Sequence, residues 1–283
     1  DYLMMQYYTP AWERHLPTIA AALQEVYAPS GMYVKFRPRE TRKLAAGKQK
    51  IPEQGRLLAG TAAPDDLSVR ENGLYYHVDL VKDLNTGLFH DQRLNRLEFR
   101  RLSANCHVLN LFAYTGAFSV AAAAGGAKQV TSVDVSGRYL EWARKNFLLN
   151  QIDAESHEFV TGDCFSELDR LRKSGRHYDI VLMDPPSFST TRKSRLTASG
   201  GTAELVQKAL ALLKEGGLLV ASSNLQKMSL ESYLKELRKG SLAVGCRLQV
   251  IKVAGQAEDF PFLTTFPEGN YLKYVVSVVQ KKL

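Results

Sequence analysis

Six short runs rich in Val, Ile and Leu, separated by helical stretches, fix what the last two-thirds of this sequence can fold into. The runs are Val108–Phe112, Val130–Val133, Glu158–Thr161, Ile180–Met183, Leu218–Ala221 and Leu248–Val253. Between them the spacing predicts helices over Ala117–Ala124, Gly137–Leu149, Cys164–Lys173, Ala203–Leu213 and Leu230–Lys239. Strands covered on both faces read as continuous apolar runs, and strand–helix alternation implies a parallel sheet with helices on both sides. The fold class is therefore α/β, a doubly wound sheet. The tail breaks the rhythm, because Tyr271–Val279 is a strand that comes after a strand and is compatible with an antiparallel terminal hairpin.

The first part of the chain reads as a small mixed α+β unit. Tyr2–Tyr8 is a strand-like run, Thr9 can cap a helix beginning near Pro10, and Leu16, Ile19, Ala20, Leu23 and Val26 recur at helical spacing. Met32–Phe36 is a short strand, and Asn72-Gly73 between Leu67–Arg70 and Leu74–Leu80 is a hairpin signal. Two domains are expected, 1–84 and 85–283. The sequence begins inside a strand without an initiator Met, as a piece of a longer protein would.

Composition removes several classes. At 45% hydrophobic and 23% charged residues the chain is too apolar for disorder. No run approaches the roughly 18–20 apolar residues of a membrane span, and Asp1-Tyr2-Leu3-Met4-Met5 lacks the basic start of a signal peptide. Cys106, Cys164 and Cys246 form no C-x-x-C pair, so neither a disulfide framework nor a metal site is expected, and a reducing cytoplasm fits best.

The net charge of +8 favours a polyanionic partner. Seven basic residues (Lys35, Arg37, Arg39, Arg42, Lys43, Lys48, Lys50) face one acid, Glu40, within sixteen positions. The run reads either as a solvated loop or as a phosphate-contacting patch.

In an open α/β sheet, ligands bind beyond the carboxyl ends of the strands. Four strand ends carry suitable residues. Gly116, after Asn110–Thr115, opens a helix and can admit a ligand close to the backbone, or simply make a tight turn; G-x-G-x-x-G is absent. Asp134 ends the next strand, where a carboxylate can accept from both hydroxyls of a ribose; its competing use is to cap the following helix, which Ser136 could also do. Asp163 could accept from an adenine amine, while Cys164 beside it reads as a small buried side chain. Asp184-Pro185-Pro186-Ser187-Phe188 is a rigid non-helical ledge that fixes Asp184 and offers Phe188 as a stacking face, or else a merely structural loop.

Together these segments resemble the class I S-adenosylmethionine-dependent methyltransferases. More specifically, they are similar to the large-subunit ribosomal RNA methyltransferases that include 5-methylcytosine and 7-methylguanine enzymes. Thr86–Arg93 resembles the family's T-G-x-[FY]-x-D-Q-R segment, Asn110–Gly116 its N-x-F-x-Y-T-G loop, Asp184–Phe188 its D-P-P-x-F, and Pro267–Lys273 its P-E-G-x-Y-L-K. The resemblance implies a Rossmann-like sheet of order 3-2-1-4-5-7-6 with strand 7 antiparallel, preceded by a small α+β domain. Family members also carry an N-terminal PUA domain, which this sequence is expected to lack.

For the site, the resemblance implies S-adenosylmethionine held by Asp91, Gln92, Phe112, Tyr114, Gly116, Asp134, Asp163 and Asp184. Asp184, Pro185 and Phe188 would orient the target base. Arg37, Arg39, Arg42, Lys43, Arg192, Lys193 and Arg195 would meet RNA phosphates. One departure stands out. The 5-methylcytosine enzymes place a nucleophilic cysteine after the fifth strand, where this chain has Val220-Ala221-Ser222-Ser223-Asn224, with Ser223 at or near that position. An unactivated hydroxyl is a poor substitute, so methylation at a nitrogen, without a covalent intermediate, is expected. The resulting expectation is a cytoplasmic S-adenosylmethionine-dependent RNA methyltransferase, monomer or homodimer, without metal. The rivals are an NAD-type oxidoreductase, a small-molecule methyltransferase and a catalytically inactive RNA-binding factor.

Overall fold

A computed structural model describes residues 1–37, 55–83, 85–186 and 201–281. These fall into two compact units.

The first unit comprises the described residues of Asp1–Val69 with Tyr76–Leu88. Strand β1 (Tyr2–Tyr7) pairs parallel to β2 (Gly31–Phe36), and β3 (Gly55–Gly60) pairs antiparallel to β2. Helix α1 (Leu16–Tyr27) makes the crossover between β1 and β2. Thr9 does cap, accepting from the Ala11 amide, but Pro10–His15 form a 3₁₀ turn ahead of α1 rather than the start of one continuous α-helix. Pro17, in the first turn of α1, has no amide proton to return to residue 13, so the i−4 ladder cannot extend across it.

Lys35 corrects the reading of the basic run. It is 1% exposed, and its ammonium donates to the Asp83 carbonyl at 2.8 Å, so it is unavailable to phosphate. Burial pulls its pKa down to about 8.

Strands β4 (Ser68–Glu71) and β5 (Leu74–His77) form a two-stranded hairpin whose tip, Arg70–Tyr75, belongs to the second unit. Asn72 and Gly73 both adopt positive φ (50° and 81°), as a tight two-residue turn requires.

The second unit then runs α2 (Arg93–Leu102), β6 (His107–Leu111), α3 (Ala117–Ala124), β7 (Gln129–Asp134), α4 (Gly137–Leu149), β8 (Glu158–Thr161) and α5 (Cys164–Lys173). It continues with β9 (Tyr178–Met183), α6 (Gly201–Leu212), β10 (Leu213–Ser223), α7 (Leu230–Leu242), β11 (Arg247–Ala254) and β12 (Lys273–Gln280). The seven strands lie in the order β11-β12-β10-β9-β6-β7-β8. Numbered within the sheet, that order is 3-2-1-4-5-7-6, as expected. β12 is antiparallel to both β10 and β11, and the other pairings are parallel.

Period-two alternation divides the core. Leu109, Leu111, Val181, Met183, Leu219 and Ala221 face α5, α6 and α7, packing with Leu168, Leu205, Val206 and Tyr233. Val108, Val130, Ile180, Leu182 and Val220 point the other way, toward Phe99 of α2 and Phe118 of α3. The register aligns Leu111 with Val133 and Met183, and Met183 with Ala221. The residues immediately after them therefore collect along one edge of the sheet.

Helix α2 has no counterpart among the sequence expectations. It buries Phe99 together with Asn95 and Arg96, so its inward face mixes an aromatic ring with polar residues.

Candidate active site

The loop after β6 is bent by alternation of backbone hand. Phe112, Tyr114 and Gly116 all have positive φ (59°, 50° and 73°), two of them at the expense of side-chain strain. The bend is held by the Ala113 amide on the Val133 carbonyl at 2.9 Å and by Asn146 on the Thr115 carbonyl at 2.8 Å. At Gly116 a Cβ would stand 2.6 Å from that of Ala143, so glycine is required by both conformation and space. Phe112 packs against the core cluster beneath α5. Tyr114 instead stacks edge-on with Tyr139 (4.5 Å between centroids) and meets Phe89 at 5.6 Å.

Asp134, at the end of β7, is 8% exposed. Its Oδ2 accepts from the Tyr114 amide and its Oδ1 from the Ser136 amide, both at 2.9 Å. Burial nevertheless raises its pKa. Ser136, not Asp134, caps α4. The Val135 amide adds a third backbone bond, so the carboxylate is locked in place with both oxygens engaged and part of its acceptor capacity left to a ligand.

Asp163 is exposed and caps α5, with Oδ2 accepting from both the amide and the hydroxyl of Ser166 at 3.0 Å. Sequence reasoning missed this capping use.

Asp184 comes directly after β9 and lies beside Gln92 and Ser222. The Gln92 amide nitrogen donates to Asp184 Oδ2 at 3.3 Å and to Ser222 Oγ at 2.9 Å. Burial pushes the Asp184 carboxyl up to about 6, with the Asp91 charge adding to the rise while the Ser222 and Gln92 hydrogen bonds oppose it. Gln92 is itself 4% exposed, and its carbonyl oxygen accepts from Asn95 at 2.7 Å, so its amide is committed to holding Asp184 and Ser222. Tyr233, on the buried face of α7, donates to the Ser222 carbonyl at 2.9 Å.

Asp91 differs from its neighbour. Its Oδ2 accepts from the Tyr271 hydroxyl at 2.7 Å, whereas its Oδ1 is buried with no hydrogen-bond partner among the described residues. A buried acceptor left empty costs free energy unless a ligand satisfies it.

The structure thus gathers Asp91, Gln92 and Asp184, and separately Tyr114, Gly116 and Asp134, along the carboxyl edge of the sheet. Asn95, Ser222, Tyr233 and Tyr271 join them without having been named as site residues; Tyr271 sat in the Pro267–Lys273 motif and Ser222 in the Val220–Asn224 stretch, and either segment could have pointed to its residue. Of the basic residues, Arg37 is described and donates to Gln6 at 3.2 Å. Arg39, Arg42, Lys43, Phe188, Arg192, Lys193 and Arg195 lie outside the described residues. Among the described residues no cluster of three or more His, Cys, Asp or Glu could hold a metal ion, and no helix is long and apolar enough to cross a membrane.

Replacing Asp134 by alanine is expected to weaken binding of S-adenosylhomocysteine by about 1.5–3 kcal/mol, the range for hydrogen bonds to a charged group. Titration calorimetry on the folded variant checks this, and unchanged affinity would remove Asp134 from the site.

Comparison with known proteins gives a consistent picture. Residues 40–258 match the family model described as S-adenosylmethionine-dependent methyltransferase. The protein called ribosomal RNA large subunit methyltransferase I in Yersinia pseudotuberculosis is 35% identical over 277 residues, covering 96% of this chain and 68% of the relative. The Yersinia pestis protein of the same name matches equally well. Among solved structures, that of SMU.776 complexed with SAH superposes with a TM-score of 0.87 at 32% identity, over 98% of this chain and 69% of that one.

Proposed function

The chain belongs to the S-adenosylmethionine-dependent methyltransferase family, and we propose that it methylates a nucleobase of large-subunit ribosomal RNA at a nitrogen, in the cytoplasm. The choice of nitrogen rests on one observation: the position flanking Asp184 carries hydroxyls, Ser222 and Ser223, and no thiol. The three cysteines are spent elsewhere. Cys164 and Cys246 are buried in the core, and burial raises the pKa of both. Cys106 is half-buried, donates to the Leu102 and Ala104 carbonyls, and is likewise pushed up by burial. Thiols held protonated are poor nucleophiles. A ring or exocyclic nitrogen, by contrast, brings its own lone pair and asks the protein chiefly for orientation and exclusion of water.

The cofactor supplies an activated methyl group when bound, and the residues present fit it. Asp134 offers its remaining acceptor capacity to the ribose hydroxyls. Asp91 Oδ1, buried and empty, suits the methionine ammonium. The glycine at 116 keeps the loop open to close approach, and Asp163 retains Oδ1 for an adenine amine. Asp184, clamped by Gln92 and Ser222, would accept from the target base, with Pro185 and Phe188 shaping the ledge. An RNA substrate is supported by the names of the relatives at 35% identity and by the charge of +8. On this reading 1–84 is an RNA-facing module and 85–283 the methyltransferase domain.

A Cys106→Ser/Cys164→Ser/Cys246→Ser variant that still folds is expected to retain methyl transfer. RNA containing 5-fluorocytosine is expected not to trap the enzyme. Covalent trapping, or loss of activity in the folded variant, would identify a thiol nucleophile and a 5-methylcytosine enzyme instead.

A further inference from the structure

Beyond the strand ends that carry Asp184 and Ser222 lies a second opening, at the carboxyl end of β11 and the start of β12. It is a cavity of about 570 Å³ whose lining includes Gln226, Lys227, Met228, Glu268, Asn270 and Lys273. That volume falls among small-molecule pockets, and the lining mixes amides and charges with an apolar thioether.

Three features bear on the occupant. First, the segment leading into the cavity's Pro267–Asn270 wall is aromatic and exposed: Phe262 and Phe266 are 47% and 56% exposed, with Leu263 between them at 70%. Both residues lie against Gly269, which sits between the lining residues Glu268 and Asn270; a Cβ there would come within 2.7 Å of the Phe262 Cβ and 3.7 Å of the Phe266 ring edge. Second, the floor is built, not incidental. Lys273 is 5% exposed, and its ammonium is anchored on the Leu225 and Tyr271 carbonyls at 2.6 and 2.7 Å. Third, the cavity adjoins the active centre through two connections. Lys273 pairs in register with Ser223 of β10, and Tyr271, next to the lining residue Asn270, donates to Asp91. β10 is the one strand between β12 and β9, so two strand spacings, about 10 Å, separate Lys273 from the end of β9.

Exposed aromatic rings beside hydrogen-bonding amides and a lysine are the chemistry that recognises an unstacked base and its phosphate. We infer that this cavity holds an unpaired nucleotide flanking the methylated one, stacked on Phe262 and Phe266 with Lys227 toward its phosphate. The inference deepens the proposed RNA methylation and rests on it. It makes the enzyme selective for single-stranded or looped RNA, because a base held in a helix cannot stack on these rings.

The test uses the full chain and a fluorescein-labelled, mixed-sequence single-stranded 12-mer RNA, with anisotropy followed across a salt series. Phe262→Ala/Phe266→Ala is expected to weaken binding at least about fivefold with no change in the log–log salt slope, since stacking releases no counterions. Phe262→Tyr, which keeps a stacking face, should bind like the wild type and controls for folding. Lys227→Ala should instead lower the slope by about 0.7. Unchanged affinity in the folded double-alanine variant overturns the inference. Wild-type methylation of ribosomal RNA, assayed in parallel, separates the two readings: methylation with no effect of the aromatic substitutions rejects only the pocket. Aromatic-dependent binding without methylation keeps the pocket and rejects the proposed reaction. A wild-type chain that neither binds the 12-mer nor methylates RNA overturns both.

Discussion

Asp184→Asn is expected to lower the rate of methyl transfer by about a hundredfold while shifting affinity for S-adenosylhomocysteine by less than tenfold. The carboxylate is held by Gln92 and Ser222, and misplacing a reacting group by about 1 Å costs on the order of that factor. The pH dependence gives a second signature. With its pKa pushed up to about 6, Asp184 loses acceptor capacity as it protonates, so the single-turnover rate should rise through pH 6 in the wild type and lose that inflection in Asp184→Asn. Stability should move in the opposite direction. The folded pKa lies above the ordinary 3.8, so the folded chain holds the extra proton between those values. The resulting stabilisation is full below pH 3.8 and gone as pH rises past about 6. At pH 7.5 the asparagine variant should therefore melt no lower than the wild type. A variant that is inactive because it is unfolded would show the reverse.

Glu71→Ala is expected to be the most damaging single substitution in the scaffold. Glu71, at the hairpin tip, accepts from Nε and Nη2 of Arg96, each at 2.7 Å, and the two side chains are 6% and 3% exposed. Arg96 also donates to the Phe89 carbonyl at 2.7 Å, two residues before Asp91. Removing one partner of a buried pair strands the other, at a cost of about 3–5 kcal/mol. At roughly 2–4 °C per kcal/mol for a unit of this size, the melting temperature should fall by on the order of 10 °C. Glu71→Leu/Arg96→Met, which removes both charges, should recover much of the loss. Urea melts of the single and double variants check this; a loss below about 1 kcal/mol in Glu71→Ala would mean that the pair is wetter than the structure indicates.

Locality separates the features that the sequence reveals from those it conceals. Helices α3, α4 and α5 run over the expected residues because their starts are written locally: Gly116 at left-handed φ, Ser136 on the Tyr139 amide and Asp163 on Ser166. The sheet order and the antiparallel last strand come from the alternation and its break after β11 together with the family resemblance. The polar network does not. Gln92 meets Ser222 across 130 residues and Tyr271 meets Asp91 across 180; motifs mark Asp91, Gln92 and Tyr271 singly, but nothing local says which residue each will meet. Buried polar residues also mislead in the other direction. Lys35 reads as part of a basic surface but serves inside the first unit, and Asn95 and Arg96 of α2 are buried although residues of their types are mostly exposed. β10 begins at Leu213, earlier than its apolar run, because Leu213 pairs with Tyr178 ahead of a bulge where Gly216 takes φ 73°.

The measurement that bears most directly on the central claim is transfer of label from methyl-tritiated S-adenosylmethionine to unmodified large-subunit ribosomal RNA, followed by nucleoside mass spectrometry. Label in one nucleoside carrying the methyl on nitrogen is the predicted result. Label in 5-methylcytidine would contradict the nitrogen assignment, and absence of label from RNA in a chain that binds the cofactor would contradict the RNA methyltransferase reading itself.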